Sequence, residues 1–200
     1  MTITAERPGT DLAAARRAMI DSQLRTSGVN DPVVLEAFAR VAREDFVPAA
    51  SRAHAYIDRA IPLGDGHALA APLFHGRMLV EAGLRSDDKV LLVSCGSGYL
   101  AALLEGLVAK VTTISAADAA AGKVKGSYSL VLIDGAIEHL PEGLAARVED
   151  AGRLVTGLVE RGVTRLASGR KAAGAAALLP LAEMGIPVLT EFAAPKRWSF

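Results

Sequence analysis

The segment from Val90 to Leu107 limits the possible folds more than any other part of the sequence. It opens with the apolar run Val90–Val93, which is typical of a strand buried on both faces of a parallel sheet. The run leads into the turn Ser94-Cys95-Gly96-Ser97-Gly98-Tyr99 and then into the apolar segment Leu100–Leu107, which we expect to be a helix. A strand, a glycine-rich turn and a helix in this order predict an α/β fold with a parallel sheet.

Apolar runs and helical patterns continue to alternate along the rest of the chain, which favours a doubly wound sheet. We expect further strands at Val111–Ile114, Leu130–Ile133, Gly152–Val155, Val163–Ala167 and Ile186–Phe192. We expect helices at Leu12–Leu24, from Val33 to about Val41, from Pro72 to about Gly83 and at Pro141–Val148. The Ala/Gly-rich stretch Ala172–Ala177 is interpreted as a loop.

Glycines at positions 96 and 98 allow the backbone to approach a ligand closely, and several kinds of site share this property. A dinucleotide fingerprint would place its third glycine at Ala101, so the match to that motif is weak. A P-loop requires a lysine that this turn does not contain. On spacing alone, a plain tight turn and a nucleotide-like binding loop both remain open.

Composition excludes several classes of function. Lys+Arg and Asp+Glu are balanced at 22 each, which leaves no basic field for general nucleic-acid binding. The sequence has no apolar run long enough to span a bilayer and no signal peptide, so we expect no membrane association. The single cysteine, Cys95, cannot form an intrachain disulfide, which fits the cytoplasm. No His/Cys cluster has metal-ligand spacing, so no metal is expected.

Three stretches together resemble the protein-L-isoaspartate O-methyltransferase family. The first contains Arg17-Ala18-Met19, Gln23-Leu24, Val34-Leu35-Glu36-Ala37 and Arg43-Glu44-Asp45-Phe46-Val47-Pro48. The second runs from Ala55-Tyr56-Ile57-Asp58 to Ile61-Pro62-Leu63-Gly64-Asp65-Gly66, and the third is Val90-Leu91 with Gly96-Ser97-Gly98-Tyr99 and the following Leu100–Leu104. The resemblance covers about residues 11–107, and this combination is far more specific than a glycine loop alone.

The resemblance implies a Rossmann-like fold of the S-adenosylmethionine-dependent methyltransferases. It implies S-adenosylmethionine as cofactor and isoaspartyl residues of damaged proteins or peptides as substrate. Residues 1–85 would form an N-terminal helical segment with the substrate-side loop, and residues 86–200 the methyltransferase core, within one compact domain. The positions that match the cofactor site are Ser94, Cys95, Gly96, Ser97, Gly98, Tyr99, Ser115, Asp118 and Asp134.

The sequence departs from the family pattern on both sides of the expected site. Leu92 stands where the family carries an acid, and Ser94 replaces the first loop glycine. Ser115 stands at the strand end where the family binds the ribose hydroxyls with an acid. Ala70 occupies the position of the hydroxyl that meets the substrate carboxylate, which leaves His67 as a possible substitute.

Only residues 116–127 connect the second predicted core strand to the third, whereas a βαβ unit needs about thirty residues. The sheet is therefore expected to lack one edge strand and its helix, on the adenine side of the family's pocket.

Two functions follow: a carboxyl methyltransferase, or a catalytically inactive relative that serves as a binding or scaffold protein. The first predicts an open cleft at Gly96–Gly98, and the second predicts a cleft filled by Tyr99 or by residues 116–126.

Overall fold

The structure, a computed structural model, describes residues 11–194, and this part of the chain begins with helical elements. Helix α1 (Leu12–Met19) is capped by Asp11, whose carboxylate accepts a hydrogen bond from the amide of Ala14 at 3.0 Å. The helix continues through a π-helical turn at Ile20–Leu24, so the whole predicted segment is helical, although not as one regular α-helix. Helix α2 (Pro32–Arg40) begins with proline in its first turn.

A small hairpin and a longer helix follow. Strands β1 (Ile61–Gly64) and β2 (His67–Leu69) pair around a tight turn, where the sequence had indicated only turn chemistry. Helix α3 (Pro72–Ala82) starts three residues after this hairpin and ends at Gly83, whose positive φ of 54° terminates it.

The core of the structure is a six-stranded mixed sheet. In chain order its elements are β3 (Lys89–Ser94), α4 (Tyr99–Leu104), β4 (Lys110–Ser115), α5 (Ala116–Ala120), β5 (Tyr128–Ile137), α6 (Glu142–Ala145), β6 (Val148–Glu160), β7 (Val163–Ala172) and β8 (Ala175–Glu183). The strands lie in the order β4-β3-β5-β6-β7-β8. The first four are parallel and the last two are antiparallel to their neighbours, so the expected Rossmann-like α/β class is confirmed.

The edge of the sheet agrees with the prediction of a missing edge strand. Strand β4 pairs only with β3 among residues 11–194, and its outer side has no neighbouring strand. The connection from β4 to β5 contains only the five-residue helix α5. As a result, the carboxyl end of β4 lies at the border of the sheet.

The C-terminal part of the chain differs from the sequence-based prediction. The stretch Ala172–Ala177 is not a loop, because it contains the end of β7, a two-residue turn at Ala173-Gly174 and the paired start of β8. The predicted strand Ile186–Phe192 is wrong, because this segment makes one isolated bridge, between Val188 and Ala136, and then a 3-10 turn at Thr190–Phe192. Pro187 cannot donate a ladder hydrogen bond, which limits regular pairing here.

Each face of the sheet is covered by a separate apolar cluster. On one face, α1–α4 pack against alternate strand residues that include Leu92, Leu130 and Leu132. The other face of the sheet contains Leu91 and neighbouring apolar strand residues. It is covered by the short helices α5 and α6 and by the segment around Phe192. This alternation follows from the period-two geometry of strands. At the carboxyl ends of the parallel strands, Ser115 on β4 is exposed and Ser94 on β3 is partly exposed, whereas Ile137 on β5 is buried. No helix within residues 11–194 has the length and apolar character needed to cross a membrane.

Candidate functional site

The glycine loop between β3 and α4 is open to solvent. Gly96 and Gly98 are exposed and have φ values of +96° and +73°, in the left-handed region that favours glycine. A Cβ atom added at Gly96 would meet nothing within 4 Å, whereas one at Gly98 would lie 3.8 Å from the ring of Phe46. Tyr99 is fully buried beneath the loop. The surface of the loop is therefore solvent-exposed, and the open cleft of the enzyme hypothesis stays a prediction.

The hydroxyls of the loop hydrogen-bond to its own backbone. Ser94 Oγ accepts from the amide of Gly96 at 2.9 Å, and Ser97 Oγ accepts from the amide of Tyr99 at 3.1 Å. Ser94 does not have a positive φ, so the replacement of glycine at this position causes no backbone strain. The serine instead adds a hydroxyl that fixes the first turn of the loop.

The end of β4 brings a second hydroxyl beside the loop. Ser115 is the register partner of Ser94 across the β3–β4 pair, and its side chain is exposed. Ser115 Oγ accepts from the amide of Asp118 at 3.1 Å and so caps α5. Asp118 itself forms an exposed ion pair with Lys123 at 2.7 Å. The hydrogen bond from Lys123 lowers the pKa of Asp118, which keeps this carboxylate charged at the border of the sheet.

Asp134, near the end of β5, lies beneath the loop and is 2% exposed. Its Oδ1 atom is 2.7 Å from Nε2 of His75, and its Oδ2 atom accepts from the Cys95 thiol at 3.0 Å. Burial alone would raise the pKa of Asp134, but the charges of His75 and Arg43 and its hydrogen bonds outweigh burial, so the pKa is lowered. Burial and the neighbouring Asp134 raise the pKa of the Cys95 thiol to about 12, so this thiol is protonated.

Arg43, in the 3-10 turn before Val47, has a fully buried side chain. Its Nε atom donates to the carbonyl of Ala55 at 2.8 Å and its Nη2 atom to the carbonyl of Ala70 at 2.6 Å. The guanidinium carbon lies 5.0 Å from the ring centroid of Tyr99.

The substrate-side positions contain little polar chemistry. Ala70 is 1% exposed and offers only a methyl group. His67 is half-buried, and its Nε2 atom lies 3.5 Å from Oε1 of Glu191. The other carboxylate oxygen of Glu191 is buried and has no hydrogen-bond partner within the described part of the chain. His67 thus interacts with the C-terminal segment, next to the hairpin that carries it.

A separate pocket of about 590 Å³ lies between the β1–β2 hairpin, the start of α3 and the end of β8. Its lining is mostly apolar and includes Ala68, Leu73, Phe74, Met184 and Ile186. Asp58 and Arg59 lie at the same pocket, and Asp58 accepts a hydrogen bond from the amide of Leu73 at 3.1 Å. The pocket lies beside the β1–β2 hairpin and does not include the glycine loop.

Leu92, at the position of the family's acid, is 1% exposed and packs in the cluster on the α1–α4 face. The nine cofactor positions predicted from the resemblance thus divide into three groups. The six loop residues form one continuous turn above Asp134, Ser115 lies beside this turn, and Asp118 is held by Lys123. Two further buried groups, Arg43 and His75, belong to the same cluster and were not predicted as site residues.

Comparison with known proteins points to one family. The sequence model of the protein-L-isoaspartate (D-aspartate) O-methyltransferase family matches residues 14–123. The protein-L-isoaspartate O-methyltransferase of Roseiflexus castenholzii is 39% identical over 133 residues, which are 66% of this chain and 61% of that protein. This match thus spans less than two thirds of the length of that relative.

A second relative extends the similarity over most of the chain. The protein-L-isoaspartate O-methyltransferase of Koribacter versatilis is 33% identical over 190 aligned residues, which cover 82% of this chain and 86% of that protein. Because 82% of 200 residues is about 164, roughly 26 aligned positions have no counterpart here.

A solved structure supports the fold. A protein-L-isoaspartate O-methyltransferase from Plasmodium falciparum, described as putative and solved in complex with S-adenosyl-L-homocysteine, superimposes with a TM-score of 0.69. It is 17% identical in sequence, and the superposition covers 88% of this chain and 98% of that one. At this identity the likeness establishes the shared fold.

Proposed function

The chain belongs to the protein-L-isoaspartate O-methyltransferase family, and we propose that it transfers a methyl group from S-adenosylmethionine to an isoaspartyl carboxylate. The substrates would be damaged proteins or peptides. The observation that carries this proposal is the glycine loop, which is open to solvent at Gly96 and lies at the carboxyl ends of parallel strands. Ligands of doubly wound sheets bind at this edge.

The residues present can hold the cofactor, although with fewer charged groups than the family pattern contains. The loop 94–99 would surround the ligand, and the exposed hydroxyl of Ser115 would meet the ribose. A charge-assisted hydrogen bond is about twice as strong as a neutral one, so a serine at this position binds more weakly than an acid. We therefore expect binding in the micromolar range.

When bound, S-adenosylmethionine supplies an activated methyl group. A carboxylate is already ionised near neutral pH, so this chain needs no general base to prepare the acceptor. The contribution of the protein is to hold the carboxylate oxygen in line with the methyl group. The substrate segment, residues 66–71, is held by Arg43 through the hydrogen bond to the Ala70 carbonyl, and His67 is a side-chain donor in the same segment.

The rival function, a binding or scaffold protein without methyl transfer, is supported by Ala70, which cannot donate a hydrogen bond to a substrate. The proposal also includes a cytoplasmic location, supported by the buried thiol of Cys95, the only cysteine in the sequence.

The deciding experiment is calorimetric titration with S-adenosylmethionine and S-adenosylhomocysteine, followed by a methylation assay on an isoaspartyl peptide. The control is Gly96→Val, which places a β-branched side chain at a positive φ in the open cleft. We expect micromolar binding by the natural chain and no binding by the variant. No binding of either ligand at millimolar concentration would overturn the proposal. Binding without methylation would favour the scaffold function.

A further inference from the structure

We infer that Asp134 is a positioning residue that joins the cofactor loop to the substrate segment through Cys95 and His75. The inference rests on the proposed function, but the hydrogen bonds of Asp134 are contacts within the chain and need no ligand. The carboxylate lies between two elements that must be arranged together for methyl transfer. The glycine loop contributes one hydrogen bond and helix α3 contributes the other.

The donor of each hydrogen bond follows from the charge of Asp134. The lowered pKa keeps the carboxylate ionised at neutral pH, so both of its oxygen atoms are acceptors. The Cys95 thiol must therefore donate its S–H, and His75 must carry a proton on Nε2. Asp134 thus fixes the rotamer of the thiol and the orientation of the imidazole ring.

Helix α3 transmits this connection to the substrate side. It begins at Pro72, two residues after Ala70, and His75 lies in its first turn with no exposed surface. The ring of His75 packs 5.6 Å from the ring of Tyr99, which is the first residue of the helix that follows the glycine loop. A displacement of the glycine loop would therefore change the contact between the rings of Tyr99 and His75. This contact lies in the first turn of α3, where the substrate segment ends.

Arg43 provides a second connection between the same two parts. Its Nη2 atom holds the Ala70 carbonyl, and its guanidinium lies against the ring of Tyr99. The titratable groups around Asp134 are thus Arg43 from the 3-10 turn Arg43–Phe46, His75 from α3, Cys95 from the loop and Tyr99 from α4.

One polar atom of this cluster argues against a role in stability alone. His75 Nδ1 is buried without a hydrogen-bond partner in residues 11–194, whereas Arg43 and the Tyr99 hydroxyl interact with each other. Buried polar groups are nearly always paired, and those that are not paired commonly mark functional sites. The His75 ring lies beside the Asp134 carboxylate, beneath the glycine loop.

The first test needs no ligand. It measures the rate at which N-ethylmaleimide alkylates Cys95 in the folded protein, for the natural chain and for Asp134→Asn. Loss of the ionised acceptor releases the thiol and loosens the loop, so we expect at least a tenfold faster reaction in the variant. The matched control is Asp87→Asn, which makes the same change at an exposed carboxylate near the opposite ends of the strands. We expect the control to react at most twofold faster than the natural chain.

The second test is the affinity for S-adenosylhomocysteine, measured by calorimetry on the same three proteins. We expect Asp134→Asn to weaken binding about tenfold and Asp87→Asn to leave it within twofold. Equal alkylation rates for the two variants would overturn the inference, because loss of the Asp134 carboxylate would then not release the Cys95 thiol. If the natural chain binds no ligand, the proposed function fails, and the alkylation rates still decide whether Asp134 holds the loop.

Discussion

Arg153 on β6 and Asp88, which precedes β3, form a buried ion pair across the intervening strand β5. Ser129 on β5 donates its hydroxyl to Asp88 at 2.8 Å, and Arg153 Nη1 donates to the carbonyl of Gly83 at 2.9 Å. The pair thus connects three neighbouring strands and the end of α3. It lies at the amino ends of the strands, far along β3 from the glycine loop, so its role is structural.

Replacing Asp88 by asparagine should strongly destabilise the fold. The variant leaves the Arg153 charge buried without its counter-ion, and breaking such a pair costs about 3–5 kcal/mol. Urea unfolding followed by circular dichroism measures the change. The neighbouring Asp87 is exposed, and Asp87→Asn should change the free energy of unfolding by less than about 0.5 kcal/mol. A similar loss in both variants would show that the pair contributes little.

Ser115→Asp should strengthen cofactor binding. The residue is exposed at the carboxyl end of β4, where the family pattern has an acid, and aspartate is as good a helix N-cap as serine. The substitution therefore adds a charged acceptor without loss of the cap of α5. We expect about tenfold tighter binding of S-adenosylhomocysteine by calorimetry.

Ser115→Ala is the control for the cap alone, since it removes the hydroxyl that accepts from the Asp118 amide. It should lower the free energy of unfolding by about 1 kcal/mol and weaken binding only slightly. Unchanged affinity in Ser115→Asp would mean that the ribose does not reach this strand end.

The buried thiol of Cys95 should make the protein less stable at alkaline pH. Its pKa is about 12 in the folded state, compared with 9.0 for a free thiol, so the folded state retains a proton that the unfolded chain loses. This contribution to stability is complete below pH 9 and is lost as the pH rises towards 12. The loss is on the order of 2 kcal/mol by about pH 10.5.

Urea unfolding at a series of pH values checks this prediction. Cys95→Ala removes the thiol, so its free energy of unfolding should fall less steeply than that of the natural chain between pH 9 and 12. Tyr56, whose pKa burial and the bond to Glu44 raise to about 12, remains in both proteins and contributes equally. If the free energies of unfolding of the two proteins fell equally steeply with pH, the Cys95 thiol would not have the raised pKa that its burial gives it.

The central part of the fold could be predicted because its strands are continuous apolar runs. Val90–Val93 and Leu130–Ile133 are buried on both faces, and only a parallel sheet interior gives this pattern. Strand β8 was missed because alanine and glycine around residue 174 have low strand propensity. The strand forms through pairing with β7, and such tertiary pairing cannot be read from a local window.

The site was only partly predictable for a similar reason. The glycine loop and Asp134 were found because they directly follow the apolar runs Val90–Val93 and Leu130–Ile133 in sequence. Arg43 and His75 come from elements 52 and 20 residues before Cys95, and their burial depends on how those elements pack. A polar residue in a helix or turn shows its enclosure only when the surrounding layers are known.

Two glycines provide a matched test of the packing around the end of β5. A Cβ atom at Gly157 would lie 2.8 Å from both Cα and Cβ of Ala136, and this contact is too close for any side chain. Ala136 is two residues after Asp134, so Gly157→Ala should displace the strand that carries the carboxylate. We expect a loss of about 1–3 kcal/mol in the free energy of unfolding.

The corresponding change at Gly143 should have the opposite sign. This glycine lies in α6, its φ is not positive, and a Cβ atom there would meet nothing within 4 Å. Gly143→Ala should therefore stabilise the protein by about 0.5–1 kcal/mol. Urea unfolding of both variants measures the difference, and N-ethylmaleimide alkylation of Cys95 reports whether the Asp134 hydrogen bond survives. Since only Gly157→Ala moves the end of β5, faster alkylation should accompany that variant alone. Equal alkylation in the two variants would mean that the close contact with Ala136 does not position Asp134.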